Sequence, residues 1–301
     1  MKRIICHCSV FVFALFYASI FPAELNANIY KYQDSNGRWH FTDKPPATEK
    51  VERVNYKSER PKGASFRLFN QQEGDQHWLM AENKFYAPVQ LSIKNSKADK
   101  IAQDYLVVAR ATQKIRLLEQ NKNAFAYAWF MGDPHAVPKE QVYAFPLDIS
   151  LCPRITQSFN GKFSHQNSQS QFAVDLGTSV GTGILAARDG VVVAVKDDYA
   201  LGGIDEFFMD KANFIQVFHD DGTWALYAHI LLGSAEVNVG DKVKVGDLLA
   251  KSGSSGYSSG PHLHFVIQRN VGLKPEAIPF QFKTLKQLLT TPVQGQKLCE
   301  L

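Results

Sequence analysis

Gly and Asp-Gly break much of this chain into short apolar stretches, and that punctuation decides its fold class. From Cys152 to about Gln268 the pattern repeats: "DGVVVAV", "NFIQVFHDDGTWALYAHI", "VGDKVKVGDLLAKSG". Each apolar run is strand-length and ends in a turn dipeptide, which suits a β-rich domain. Helical periodicity is nearly absent until "FKTLKQLLTT". There Leu285, Leu288 and Leu289 predict one apolar face of a short helix in a C-terminal tail, 281–301. The chain is expected to be mainly β.

The N-terminal half divides into smaller pieces. A basic "MKR", the apolar run "VFVFALFYASI" and the exit "AELNA" have the layout of a secretory signal peptide over 1–27. The run is shorter than the roughly 20 residues of a membrane span, so no stable span is expected after cleavage. "IYKYQDSNGRWHFTDKPP" reads as two strands around Asn36-Gly37, a hairpin unit over 28–46. It resembles a short domain of unknown function that follows the signal peptide in many Gram-negative envelope proteins. The charged stretch 47–63 reads as a linker. Alternation returns over 64–148: Val89, Leu91 and Ile93 share one strand face, as do Phe125, Tyr127 and Trp129. A β-sandwich-like middle domain follows from it. These N-terminal units are expected to position or restrain the rest and to do no chemistry. Cys152 and Cys299, the cysteines left after export, are expected to form one disulfide.

The chain carries 33 basic and 29 acidic residues, a formal charge of +4. Such a mild excess suits approach to an anionic envelope polymer and gives no ground for nucleic-acid binding.

Position thins the nine histidines. His165 lies in a polar loop within "FNGKFSHQNSQSQFAVDLG". Asp175 sits in the strand that follows, beside Phe172 and Val174, where a carboxylate needs a partner. His229 ends "TWALYAHI". His262 and His264 stand two apart in "GYSSGPHLHF", so in a strand both look into one space. His219 before a turn, and His77 and His135, read as structural or surface residues. Asp189 and Asp241 precede Gly and read as turn formers.

Together "FNGKFSH", "FAVDLG", "ILAARDGVVVAV", "DDGTWALYAHI", "VGDKVKVGDLLAKSG" and "GYSSGPHLHF" resemble the lysostaphin-type, or LytM-like, zinc metallopeptidases. The resemblance implies an antiparallel β peptidase domain over 149–280 with one Zn²⁺ per chain. It implies His165, Asp175 and His264 as metal ligands, and His229 and His262 as the residues that act on water and substrate. Many members space the first His and Asp four apart; here they are ten apart, as in members with a "GxFSH" stretch. The implied activity is an exported endopeptidase, periplasmic or secreted, that hydrolyses peptide stems of bacterial peptidoglycan. In a Gram-negative envelope that bond is the D-alanyl–diaminopimelate cross-link.

Two other classes compete. Some LytM-like domains lose ligands and become non-catalytic modules that bind the wall or activate an amidase, with an envelope regulator as partner. This chain keeps all five positions. "VNVGDKVKVGDLLAKSG" also resembles the hairpin of biotinyl- and lipoyl-type carriers, but it lacks a modifiable Lys at a tight tip, and carriers need no His-x-His.

Overall fold

A computed structural model describes residues 65–94, 102–118, 125–139, 141–283 and 292–298, and the backbone alone of 28–33, 39–42, 52–55 and 288–289. The expected signal peptide, the Asn36-Gly37 turn and Cys299 lie outside these residues. The regular elements of the described residues are all strands apart from two short 3₁₀ turns, and none is an α-helix. No described helix is long and apolar enough to cross a membrane.

The N-terminal hairpin is present: Asn28–Gln33 pairs antiparallel with Trp39–Thr42, with Tyr32 opposite His40. A third strand, Glu52–Asn55, pairs with the other edge of Asn28–Gln33. It falls inside the stretch expected to be a linker. A lone hairpin is marginal, and a third strand gives the first a partner on both edges.

One compact unit contains Ser65–Asp133. Its two three-stranded antiparallel sheets contain Phe66–Glu73, Gln76–Asn83 and Ala111–Leu118 in one, and Gln103–Val107, Val89–Lys94 and Ala126–Met131 in the other. Leu79, Ala81 and Leu118 from the first join Leu91, Ile93 and Val107 from the second in one core. Phe125 and Tyr127 pack on that core, whereas Trp129 is left 39% exposed between Phe66 and Phe85.

The second unit contains Pro134–Leu301, so the boundary falls earlier than the expected 148. Val142–Ala144 pairs in parallel with Gln281–Lys283. Tyr143, Phe145 and Leu147 are buried in the core of this unit. The expected C-terminal helix is replaced by strands: Phe282 lies opposite Leu289 and Lys283 opposite Leu288. A ten-residue helix is marginal by itself. Strand pairing on both sides of Gln281–Lys283 satisfies the backbone and places Phe282 fully inside.

An eight-stranded antiparallel sheet organises this unit. Its order is Arg154–Gln157, Val174–Gly177, His262–Asn270, Thr223–Ala228, Phe214–Phe218, Gly190–Lys196 and Lys242–Val243, with Pro275–Ala277 also on His262–Asn270. Alternation sends Val174, Leu176, Leu263, Phe265 and Ile267 into the main core. Asp175, His262 and His264 fall on the opposite phase. The tail closes an edge of the sheet: Ile155 N–H donates to Gln296 O at 3.0 Å, and Leu298 N–H to Pro153 O at 3.0 Å. Cys152 beside it is disulfide-bonded.

Candidate active site and metal centre

Two neighbouring strands form the floor of the site. Asp175 and His264 are direct partners across Val174–Gly177 and His262–Asn270. His264 Nδ1 lies 2.8 Å from Asp175 Oδ1. His165 reaches the same oxygen from the loop before the strand, with Nε2 at 3.1 Å. That loop folds back on itself, which makes a ten-residue spacing workable. Asn160 N–H donates to Gln171 O at 2.6 Å, and Ser170 Oγ to Ser164 O at 2.9 Å. One ligand atom from each of His165, Asp175 and His264 lies within 4.8 Å of the others.

The donor set fits a cation. His165 Nδ1 donates to Ser158 O at 2.9 Å, which leaves Nε2 as a lone pair aimed at a carboxylate oxygen. Two acceptors face each other, and a metal ion between them resolves the conflict. Two imidazoles and one carboxylate are also a common donor set for catalytic zinc, with a fourth position left open. Burial pushes the Asp175 carboxyl up. With the rings protonated, hydrogen bonds from His165 and His264 and the charges of His264 and His262 outweigh it and hold the group well below the ordinary carboxylate range. A bound cation would do the same without protonating the rings.

Gln157 completes the carboxylate. It lies inward of Thr156 on Arg154–Gln157, in phase with Ile155. Its Nε2 donates to Asp175 Oδ2 at 3.0 Å and to Ser164 Oγ at 2.8 Å, while its Oε1 accepts from Phe163 N–H at 3.0 Å. This leaves Oδ1 to the histidines. The sequence reading missed Gln157; its signal is a polar residue on the inward phase of an alternating strand.

The other two histidines stand beside this cluster. His229 follows Thr223–Ala228 and turns the chain with φ 65°, a left-handed conformation that costs a non-glycine residue energy. Its ring centroid is 4.6 Å from that of His262 and 5.8 Å from that of His264. His229 Nδ1 donates to Ser255 O at 2.6 Å, and His262 Nδ1 to Gly260 O at 2.8 Å. Each ring therefore presents Nε2 as an acceptor; that of His262 is 3.8 Å from Asp175 Oδ1. Burial, then the charges of His262 and His264, push His229 down to about 3. Burial also lowers His262. Both rings are neutral at pH 7, the form a general base requires.

Glycine makes the loop that holds these rings. A Cβ on Gly256, at φ +78°, would lie 2.5 Å from Ala212 backbone, and one on Gly202 would lie 1.7 Å from Ser254 O. Loop 254–260 packs directly on the 199–212 segment because neither position has a side chain.

The structure thus brings His165, Asp175, His229, His262 and His264 together. His219 is elsewhere: its Nδ1 donates to Asp189 O at 2.8 Å, and its ring packs on Tyr143. His77 and His135 are exposed. Asp189 and Asp241 each accept a backbone N–H in a turn or loop.

Residues 169–275 match Peptidase family M23, and residues 18–65 match a domain of unknown function, DUF4124. Four of the five site residues fall in the first match; His165 precedes it. The chain is 34% identical over 118 residues to an uncharacterized metalloprotease of Buchnera aphidicola, covering 38% of this chain and 28% of that protein. It is 37% identical over 102 residues to the glycyl-glycine endopeptidase ALE-1 of Staphylococcus capitis, covering 33% and 25%. The chain thus spans about a quarter of the length of these relatives. Among solved structures it is similar to the catalytic domain of the prophage-encoded M23 protein EnpA from Enterococcus faecalis. The identity is 25%, the TM-score 0.33, and the coverage 42% of this chain and 88% of that one.

Proposed function

We propose that this chain, which carries a Peptidase family M23 domain, is an exported zinc metalloendopeptidase that hydrolyses peptide cross-links of bacterial peptidoglycan. The observation that carries the reading is the convergence of His165, Asp175 and His264 beside two neutral histidines. The likeness to a glycyl-glycine endopeptidase supports a peptide-bond substrate in the wall. The signal-peptide layout read in residues 1–27 and the DUF4124 match over 18–65 support the compartment.

His165, Asp175 and His264 would hold the ion. When bound, zinc supplies Lewis-acid chemistry: it acidifies water and polarises the scissile carbonyl. The chain's own residues handle the proton. His262 Nε2 faces the cluster, takes the proton of the attacking water and returns it to the leaving amine. His229 sits 4.6 Å away, buried. Two charged rings at that distance repel, so a proton on one is under pressure to leave. Gln157 holds Asp175 in register throughout.

The test is digestion of purified peptidoglycan by the mature protein, with and without chelator, the products identified by mass. Chelator-sensitive release of cleaved stem peptides is the expected result. Intact peptidoglycan after incubation with zinc-loaded protein would instead fit a non-catalytic module.

A further inference from the structure

One exposed and one half-buried aromatic ring bridge the loops that carry the site. Phe163 stands two residues before His165 and is 52% exposed. Tyr257 lies between Ser255, whose carbonyl holds His229, and Ser258, whose Oγ is 3.3 Å from His262 Nδ1. The rings stack with centroids 5.3 Å apart and planes 17° apart. They lie 94 positions apart in sequence, so the contact is made by the fold. Each is braced. Phe163 N–H is fixed by Gln157 Oε1, and Tyr257 packs on the small core of Tyr199, Leu201 and Phe208.

A stack at this spacing leaves no gap for a side chain between the rings. It joins the loop of His165 to the loop of His229 and His262 through one uncharged, apolar contact. We infer that the Phe163–Tyr257 pair is a specificity element of this site: it forms a wall against which the substrate residue flanking the scissile bond rests, and it favours a small apolar side chain such as alanyl. An anionic side chain lying on it would lose hydration with no partner in return. An aliphatic one would gain apolar contact. The inference rests on the peptidase reading above, and it adds the side of the substrate that this chain selects.

The test uses the full mature protein and a soluble cross-linked stem-peptide dimer purified from peptidoglycan. F163A, Y257A and Y257F are compared with wild type for KM, kcat, zinc content and thermal midpoint. Binding of the same dimer is measured in an H262A background, with and without F163A. F163A and Y257A should each raise KM roughly tenfold and weaken binding by a similar factor, the scale of one lost apolar contact in a specificity pocket. Zinc content and kcat should stay within about twofold, and Y257F, which keeps the ring, should match wild type. Unchanged KM and binding in both alanine variants would overturn the proposal. So would a fall in kcat together with zinc loss, which would make the pair a support for His165. A wild type that holds zinc and leaves the dimer intact would overturn the peptidase reading itself, a result told apart because the wild type and not the variants is inactive.

Discussion

Asp175 and His264 are register partners on adjacent antiparallel strands, and their side chains meet at 2.8 Å although 89 positions separate them. The pair is therefore set by backbone hydrogen bonding and needs no induced fit. His165 differs, because a folded loop delivers it.

The three proposed ligands should fail together. D175A, H264A and H165A are each expected to lose zinc as well as activity, measured by metal analysis after dialysis. Full zinc occupancy in H165A would assign that position to another loop residue. Removing metal from the wild type should also lower the melting temperature. Free zinc at a thousandfold excess over its Kd stabilises a folded state by ~4 kcal/mol.

His229 and His262 should separate turnover from binding. H229A and H262A are expected to retain zinc and to lose roughly 10²–10⁴ of the cleavage rate, the range of general acid–base assistance. Zinc loss equal to that of H264A would move either residue into the ligand set.

Part of the loss of stability in acid should come from His219. Burial, the largest influence, pushes this ring down to about 4 from an ordinary 6.5. Between those values the unfolded chain takes up a proton that the folded chain refuses. Stability attributable to His219 is thus intact above about pH 6.5 and lost as pH falls to about 4, a change of about 3 kcal/mol. The difference between wild-type and H219Q unfolding curves, by denaturant titration across pH 4–7, measures it. Asp221, held low despite burial by its hydrogen bonds to Thr223 and Lys139 N–H and its pairing with Arg188, acts only below the 3.8 of a free carboxyl, outside this window.

Truncation should be sensitive to where it falls. A fragment starting at Pro134 keeps Tyr143, Phe145 and Leu147, which are 1%, 9% and 3% exposed. A fragment starting at Asp148 loses all three and the parallel pairing with Gln281–Lys283. Each buried side chain contributes about 1.5–3 kcal/mol, so the shorter fragment forfeits about 4.5–9 kcal/mol, comparable to a whole domain's stability. Circular dichroism should show the longer fragment folded and the shorter one not.

Alternation and turn dipeptides were enough to read the β architecture, since strands of this unit are bounded by the Gly and Asp-Gly pairs seen in the sequence. The phase of "HLHF" likewise put His262 and His264 on one face, where the structure has them. Other features depend on partners that sequence does not reveal. Tyr143, Phe145 and Leu147 read as the end of the middle domain because their strand partner, Gln281–Lys283, lies some 140 positions away. The leucines near 288 carried helical spacing, yet pairing with Phe282 and Lys283 decided their state. Gln157 and the Phe163–Tyr257 stack matter through tertiary contacts alone.

The closing of the sheet edge by residues 292–298 has a consequence for biogenesis. Arg154–Gln157 gains its outer hydrogen bonds from residues 295 and 296, far along the chain, and Tyr143 waits for a strand near residue 281. Long-range pairing of this kind makes folding slow relative to helix-rich chains. The unit cannot finish folding before residues 281–298 are available, because both of these pairings are supplied by them. A chain halted before that point would carry the histidines in sequence without the geometry that brings them together. The geometry of the candidate site is thereby tied to residues more than a hundred positions away from its first ligand.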